Sequence, residues 1–315
     1  MVFRVTKALG TVLAAGLLVF GSTEAGAAGA AGEIDGGEQA NPPSAGLDRI
    51  DQRSGRDQFY RYETLAEQAT VYVIDTGIDA KHPDFGGRVQ LGRDFVDTRN
   101  VAASDGNGHG THLAGIAGGT RFGVAKGVKL VSVRVLDDGG TGATESIIAG
   151  IDWVTQNARQ PAVALLGIAG AGNEQLDQAV RNLAAVMPVA VPAGGEGADA
   201  AATSPARVPE ALTVGSSDSQ DRVPTSANFG QLVDLFAPGV EIPSPAANGP
   251  GSSVLSGTSM AAAHVAGAAA LYRALHPEAT PADVGAALVE RSTKDALTGL
   301  PEGTPNRLLY TLPTG

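Results

Sequence analysis

From Met260 to Leu275 nearly every residue is small or apolar, interrupted by a single glycine, Gly267, and by no proline. Such a run reads as a helix buried on all sides rather than an amphipathic surface helix, and a helix of that kind must be the spine of a domain large enough to surround it. Just before it stand Gly257, Thr258 and Ser259. At a helix start the first backbone N–H groups lack partners and the helix dipole is positive. A serine held there can attack a carbonyl and have the resulting anion stabilised. Equally, Thr258 or Ser259 can serve only as an N-cap, so the rest of the chain has to decide between these readings.

The chain has 315 residues, 43% of them hydrophobic, which excludes a disordered polymer and allows one large α/β domain with a sizeable core. With 43 glycines and only 4% aromatic residues, that core must be closed by small side chains and close backbone approach. The net charge of −11, from 22 basic and 33 acidic residues, offers no basic footprint for nucleic acid or an anionic membrane. At the start, Arg4 and Lys7 precede an apolar run from Ala8 to Phe20 and the small-residue pattern Ala25-Gly26-Ala27. This predicts a secretory signal peptide over 1–27, hence an extracellular protein with no membrane attachment after cleavage. Residues 28–43 read as a flexible leader, and the folded domain is expected over 44–315. There is no cysteine, so an exported chain must hold together without disulfides.

Along that domain, Thr70-Val71-Tyr72-Val73-Ile74 is a short buried-strand pattern ending at Asp75-Thr76-Gly77. An acid there sits where open α/β sheets place their ligands. Next comes the glycine-rich Asp105-Gly106-Asn107-Gly108-His109-Gly110-Thr111-His112, which runs into a small-residue helix. No Lys-Ser/Thr follows it, which argues against a P-loop. His109 and His112 have neither the Glu of H-E-x-x-H nor a cysteine beside them, which argues against zinc. Further strands are expected at 128–136, 162–168, 188–193, 211–215 and 232–236. Helices are expected at 144–158, at 175–185 and at 281–291, the last N-capped by Thr280. Strands alternating with helices predict a mainly parallel, doubly wound sheet flanked by helices in a single domain.

An acid after the first buried strand, a histidine opening the next helix and a serine opening the late one give the order Asp, His, Ser, which is the subtilisin order of that triad. Three blocks make the likeness specific: Val73-Ile74-Asp75-Thr76-Gly77-Ile78, Gly106-Asn107-Gly108-His109-Gly110-Thr111-His112 and Gly257-Thr258-Ser259-Met260-Ala261. They resemble the signature blocks of the subtilisin-like serine peptidases. Gly123-Val124-Ala125-Lys126-Gly127 and Asp234-Leu235-Phe236-Ala237-Pro238-Gly239 are similar to the proteinase K-like branch. The resemblance runs from about Ser44 to Leu312.

It implies the three-layer subtilisin-like fold and a serine endopeptidase with Asp75, His109 and Ser259 as the triad, acting as a monomer on peptides or proteins. It also implies two edges for an extended substrate, Gly140-Thr141-Gly142 and Leu166-Gly167-Ile168-Ala169. No cofactor is required for the chemistry, and a structural calcium is implied at Asp234 with the carbonyls of Pro209 and Ala211. His112 and His264 match structural positions of the family, whereas His82 and His276, each beside a proline, are expected at the surface.

The chain also departs from the family pattern. The second edge usually reads Ser-Leu-Gly-Gly, whereas Gly167-Ile168-Ala169-Gly170 stands here. The oxyanion hole usually joins the backbone N–H of the nucleophile to an asparagine in Ala-Gly-Asn, and the matching block is Ala193-Gly194-Gly195. Gly195 thus stands where the asparagine is missing, and Asn173, in an earlier Ala-Gly-Asn, follows a different strand. Ala262-Ala263 replaces the usual Thr-Pro, and the short leader stands where relatives carry a folding pro-domain. The sequence therefore supports a protease slowed by a weakened oxyanion hole. It leaves open a degenerate relative that binds peptides or a partner protein with little or no turnover, or an esterase.

Overall fold

The computed structural model describes residues 37–97 and 104–312 in full, and only the backbone at 5–6 and 34–35. The expected signal peptide lies outside the fully described residues. Among the fully described residues the chain opens with β1 (Glu38–Ala40), α1 (Ala45–Ile50) and β2 (Phe59–Arg61), where β1 and β2 pair antiparallel. This corrects the expected start at Ser44. Gln39 is buried in β1 and its side-chain amide donates to the Arg121 carbonyl, so part of the supposed leader belongs to the fold. Ser44 instead caps α1, accepting from the Gly46 N–H.

The remaining strands are β3 (Thr70–Asp75), β4 (Val89–Asp94), β5 (Lys129–Arg134), β6 (Gly142–Ala143), β7 (Ala162–Leu166), β8 (Gly170–Ala171), β9 (Val189–Pro192), β10 (Thr203–Ser204), β11 (Leu212–Ser217), β12 (Leu235–Pro238), β13 (Ile242–Pro245), β14 (Ser252–Leu255), β15 (Thr293–Lys294) and β16 (Arg307–Leu308). The helices are α2 (His109–Gly118), α3 (Thr144–Asn157), α4 (Glu174–Ala184), α5 (Thr258–Leu275) and α6 (Pro281–Arg291). Nine strands form one sheet in the order β15-β16-β12-β11-β9-β7-β3-β5-β4, parallel throughout except for the β15–β16 edge pair. From β3 the chain first builds outward through β4 and β5, then crosses to the other side for β7, β9, β11 and β12. The direction reverses at β3, so the carboxyl ends of β3 and β7 flank the crevice where such sheets bind ligands.

Alternation along β3 explains the three layers. Val71 and Val73 join the core that contains α2 and α5, while Tyr72 and Ile74 join the core that contains α3 and α4. A strand covered on both faces can be apolar at every position, as β3 is. Helix α5 is buried along most of its length and packs across β7, β9, β11 and β12 as well as α2. Alanine side chains permit that close stacking, which bulkier residues would force apart. Thr280 caps α6 in a reciprocal box with Asp283, as the sequence leads one to expect. Among the described residues no helix is long and apolar enough to cross a membrane.

Two buried histidines set an acid limit on stability. His264 on α5 donates from Nδ1 to the Met260 carbonyl, and burial lowers its pKa from 6.5 to about 4. His112 on α2 lies near the carbonyls of Ile242 and Ser253, and burial lowers it to about 3. Below pH 6.5 the unfolded chain takes up these protons before the folded chain does, so stability is lost as the pH falls from 6.5 toward these values. For His264 the gap from 6.5 to about 4, at about 1.4 kcal/mol per pH unit, amounts to roughly 3 kcal/mol. Denaturant unfolding at pH 7.5 and 4.5 should therefore show a smaller acid loss for His264→Gln than for the wild type. Parallel losses would remove His264 as a source.

Candidate active site

Asp75 ends β3 fully buried, and its Oδ1 lies 2.8 Å from His109 Nδ1 while also accepting from the Thr76 N–H at 2.8 Å. His109 is the first residue of α2, so a strand end and a helix start, 34 residues apart, meet through one carboxylate oxygen. An imidazole that donates from Nδ1 presents the lone pair of Nε2, the atom a general base uses.

Gly167, just beyond β7, joins this pair to Ser259. A Cβ at Gly167 would lie 2.2 Å from Asp75 Oδ2, 2.4 Å from a Leu113 methyl and 3.0 Å from His109 Cε1, so no side chain fits there. Its carbonyl accepts from the Ser259 hydroxyl at 3.4 Å. Ser259 stands in the first turn of α5 behind Gly257, and Asp75, His109 and Ser259 are thereby gathered around one glycine.

The residue before Ser259 also clasps the loop that carries Gly195. Thr258 Oγ1 donates to the Gly194 carbonyl at 3.2 Å and accepts from the Gly194 N–H at 3.3 Å, bringing the residue before Gly195 against the residue before Ser259. Gly194 has φ +113°, and a Cβ there would fall 2.2 Å from Asn228 Nδ2. Gly195 is exposed and does not share that left-handed backbone. The side chains of Asn173 and Asn228 bond other segments. Asn173 caps α4, its Oδ1 accepting from the Gln175 and Leu176 N–H groups. Asn228 donates to the Ala193 carbonyl and Thr203 Oγ1.

The two expected substrate edges differ in kind. Gly140 and Thr141 lie in a turn closed by Asp137, which accepts from the Gly139 and Thr141 N–H groups and from the Thr141 hydroxyl, and the strand begins at Gly142. At the second edge Leu166 and Ile168 turn into the core with α3 and α4, Gly167 faces the Asp75–His109 pair, and strand structure resumes after Ala169 at β8, paired with β10. Asp234 sits beside Thr213, accepting the Thr213 N–H at Oδ2 and donating its own N–H to the Thr213 carbonyl. That places it alongside the Pro209–Ala211 turn, and burial raises its pKa from 3.8 to about 6. Among the described residues no group of three or more His, Asp and Glu side chains is gathered as a metal site.

His82 is a correction. It is buried, not at the surface: Nε2 contacts the Gly251 carbonyl at 2.9 Å, Nδ1 accepts from the Asp84 N–H, and the ring packs edgewise on Phe85. His276 is half-buried and packs its ring against Tyr272 at 4.4 Å. Asp105 carries no role in the sequence reading, and Thr258 is no N-cap: Gly257 holds that position while the Thr258 hydroxyl bonds Gly194. Both lie within the quoted blocks, but nothing in their spacing distinguishes them from ordinary turn and cap residues.

Residues 66–307 match the model of the subtilase family. The extracellular serine proteinase of Thermus sp. (strain Rt41A) is 46% identical over 274 residues, covering 86% of this chain and 67% of that protein. Alkaline serine exoprotease A of Vibrio alginolyticus is 46% identical over 269 residues, covering 85% of this chain and 50% of that protein. The chain therefore spans about two thirds of the first relative's length and half of the second's. The crystal structure of a cold adapted subtilisin-like serine proteinase superposes with a TM-score of 0.85 at 45% identity, covering 87% of this chain and all of that one.

Proposed function

The chain belongs to the subtilase family, and from that premise we propose that it is a secreted serine endopeptidase in which Asp75, His109 and Ser259 form the triad. The observation that carries this is the 2.8 Å Asp75–His109 contact lying against Gly167, whose carbonyl takes the Ser259 hydroxyl. A serine hydroxyl is a weak nucleophile near neutral pH and needs a base. His109 accepts the Ser259 proton as Oγ attacks the scissile carbonyl and later returns it to the leaving amine, while Asp75 holds the tautomer and stabilises the imidazolium. The Ser259 backbone N–H, at the positive end of α5, donates to the oxyanion. Gly195 supplies no side-chain donor, which makes the enzyme slow and, with Ala262-Ala263 in place of the family's Thr-Pro, favours the second reading of peptide binding with little turnover.

Substrates are peptides or proteins lying extended between the Gly140–Gly142 and Leu166–Ala169 segments, and the enzyme acts as a monomer. Two relatives bear names that describe an extracellular serine proteinase and a cuticle-degrading protease, which supports secretion of this chain as well. Turnover of a long chromogenic peptide by the purified protein, with Ser259→Ala as control, tests the assignment. No turnover in the wild type, together with unaltered peptide binding, would establish the binding-only reading.

We further propose a structural calcium ion at Asp234 with the Pro209 and Ala211 carbonyls, a reading supported by Asp234 bonding Thr213, two residues beyond Ala211. The half-buried carboxylate is partly desolvated, and hard cations take carboxylate and carbonyl oxygens together. Its role is to hold the Pro209–Ala211 turn, with no part in the chemistry. Chelation should lower the Tm of the wild type by about 5 °C or more and leave Asp234→Ala nearly unmoved. Equal losses in the two proteins would refute the site.

A further inference from the structure

We propose that Asp105 is a positioning residue for the Asp75–His109 pair, a reading that rests on the triad assigned above. Asp105 is buried, and its carboxylate accepts five hydrogen bonds from three segments. Oδ1 takes the Thr76 hydroxyl at 2.9 Å, the Asn107 N–H at 3.0 Å and the Gly108 N–H at 2.8 Å. Oδ2 takes the Thr111 N–H at 2.9 Å and the Thr111 hydroxyl at 2.6 Å. The donors come from the end of β3, from the glycine-rich loop and from the first turn of α2. These are the segments that carry Asp75 and His109.

The two threonines extend the grip. With its proton committed to Asp105, Thr76 Oγ1 accepts from the Gly110 N–H at 2.9 Å, tying the residue after Asp75 to the residue after His109. Thr111 Oγ1 likewise accepts from the Asp79 N–H at 2.9 Å, tying the second residue after His109 back to the loop beyond β3. Gly108 offers α2 no side-chain cap. The orphan N–H groups of the first turn are satisfied from outside instead, that of Gly110 by Thr76 and that of Thr111 by Asp105, with a carboxylate at the positive end of the helix. A hydroxyl that donates to a carboxylate has its lone pairs directed to other donors, so one charge at Asp105 orients both threonines.

The consequence is geometric. Asp75 and His109 lie on different elements, so the direction of the His109 ring depends on how the first turn of α2 is held against the end of β3. Asp105 fixes that turn against β3 and so fixes the direction of the His109 ring relative to Asp75 Oδ1. Small misplacements of catalytic groups cost rate steeply, so the expected effect appears in kcat rather than in KM.

The test uses the full chain with three substitutions, Asp105→Asn, Thr111→Val and Thr111→Ser. Fluorophosphonate titration of active sites corrects each preparation for folded enzyme. Asp105→Asn and Thr111→Val should lower kcat by about tenfold or more with KM within about twofold. Thr111→Ser, which keeps the hydroxyl, should recover most of the Thr111→Val loss. The acidic limb of the kcat/KM profile should move to lower pH in Asp105→Asn, because a less well-held Asp75–His109 bond stabilises the imidazolium less. Unchanged kcat and pH profile in titrated Asp105→Asn and Thr111→Val, with only a lower Tm, would overturn the proposal in favour of plain helix capping. A readout independent of turnover separates this from failure of the triad itself. In the Ser259→Ala background, the downfield proton resonance of His109 Nδ1–H should shift or broaden when Asp105→Asn is added. An unmoved resonance would overturn the positioning role.

Discussion

Ser259→Ala should lower kcat for a long peptide substrate by about 10⁶, and His109→Ala by about the same factor, with circular dichroism and Tm close to the wild type. The size follows from the way the groups work as a unit. Once the hydroxyl is gone His109 has no proton to take, and once the imidazole is gone the hydroxyl stays protonated. The double variant should therefore be no worse than either single one, a non-additivity that independent binding residues would not show. Asp75→Asn should cost less, about 10⁴, because nucleophile and base both survive while the tautomer is no longer held by a charge. Fluorophosphonate labelling should disappear in Ser259→Ala and fall steeply in His109→Ala. Labelling at wild-type rates in both would show that another nucleophile is at work.

Gly195→Asn should raise kcat by at least about tenfold, with a ceiling of about 10² to 10³, and leave KM nearly unchanged. Removing one oxyanion-hole side-chain donor, measured in subtilisin itself, costs about 10² to 10³ in kcat, or about 2.7–4 kcal/mol. Restoring the donor should return part of that, and the bond forms as negative charge develops, so the gain belongs to the transition state. Local geometry favours the substitution. The strained glycine is Gly194, wedged against Asn228, whereas Gly195 is exposed and free of the left-handed conformation that resists a side chain. The Thr258 clasp on Gly194 holds this loop against the first turn of α5, so an amide at 195 starts from a backbone already anchored beside Ser259. A Gly195→Asn protein that folds normally yet turns over no faster would mean that another donor fills the hole in the wild type.

The two experiments separate different failures. A triad that labels and turns over slowly, and gains from Gly195→Asn, is a protease with a weakened oxyanion hole. One that labels without turnover and gains nothing has lost catalysis elsewhere, and the Ala262-Ala263 step after the nucleophile becomes the next segment to restore toward the family's Thr-Pro.

Much of this molecule could be read from the chain because the relevant signals are local. An unbroken apolar run with an acid at its end marks β3 and Asp75, and a long small-residue run behind Gly-Thr-Ser marks α5 and Ser259. The box that starts α6 needs only Thr280 and Asp283. What the chain could not disclose depends on contacts between residues far apart. Glu38–Ala40 reads as leader because its pairing with Phe59–Arg61 joins it to the fold through a distant segment and leaves no mark in its own sequence. His82 reads as a surface residue because the Gly251 carbonyl that receives it lies 169 residues away. That Gly194 needs to be glycine follows from the position of Asn228, and the five-fold use of Asp105 follows from the meeting of three segments. Periodicity and capping rules report what a residue does to its own element. Burial, strain and the orientation of the Asp75–His109 pair are set by which elements the sheet brings together, and that is decided only when the sheet has formed.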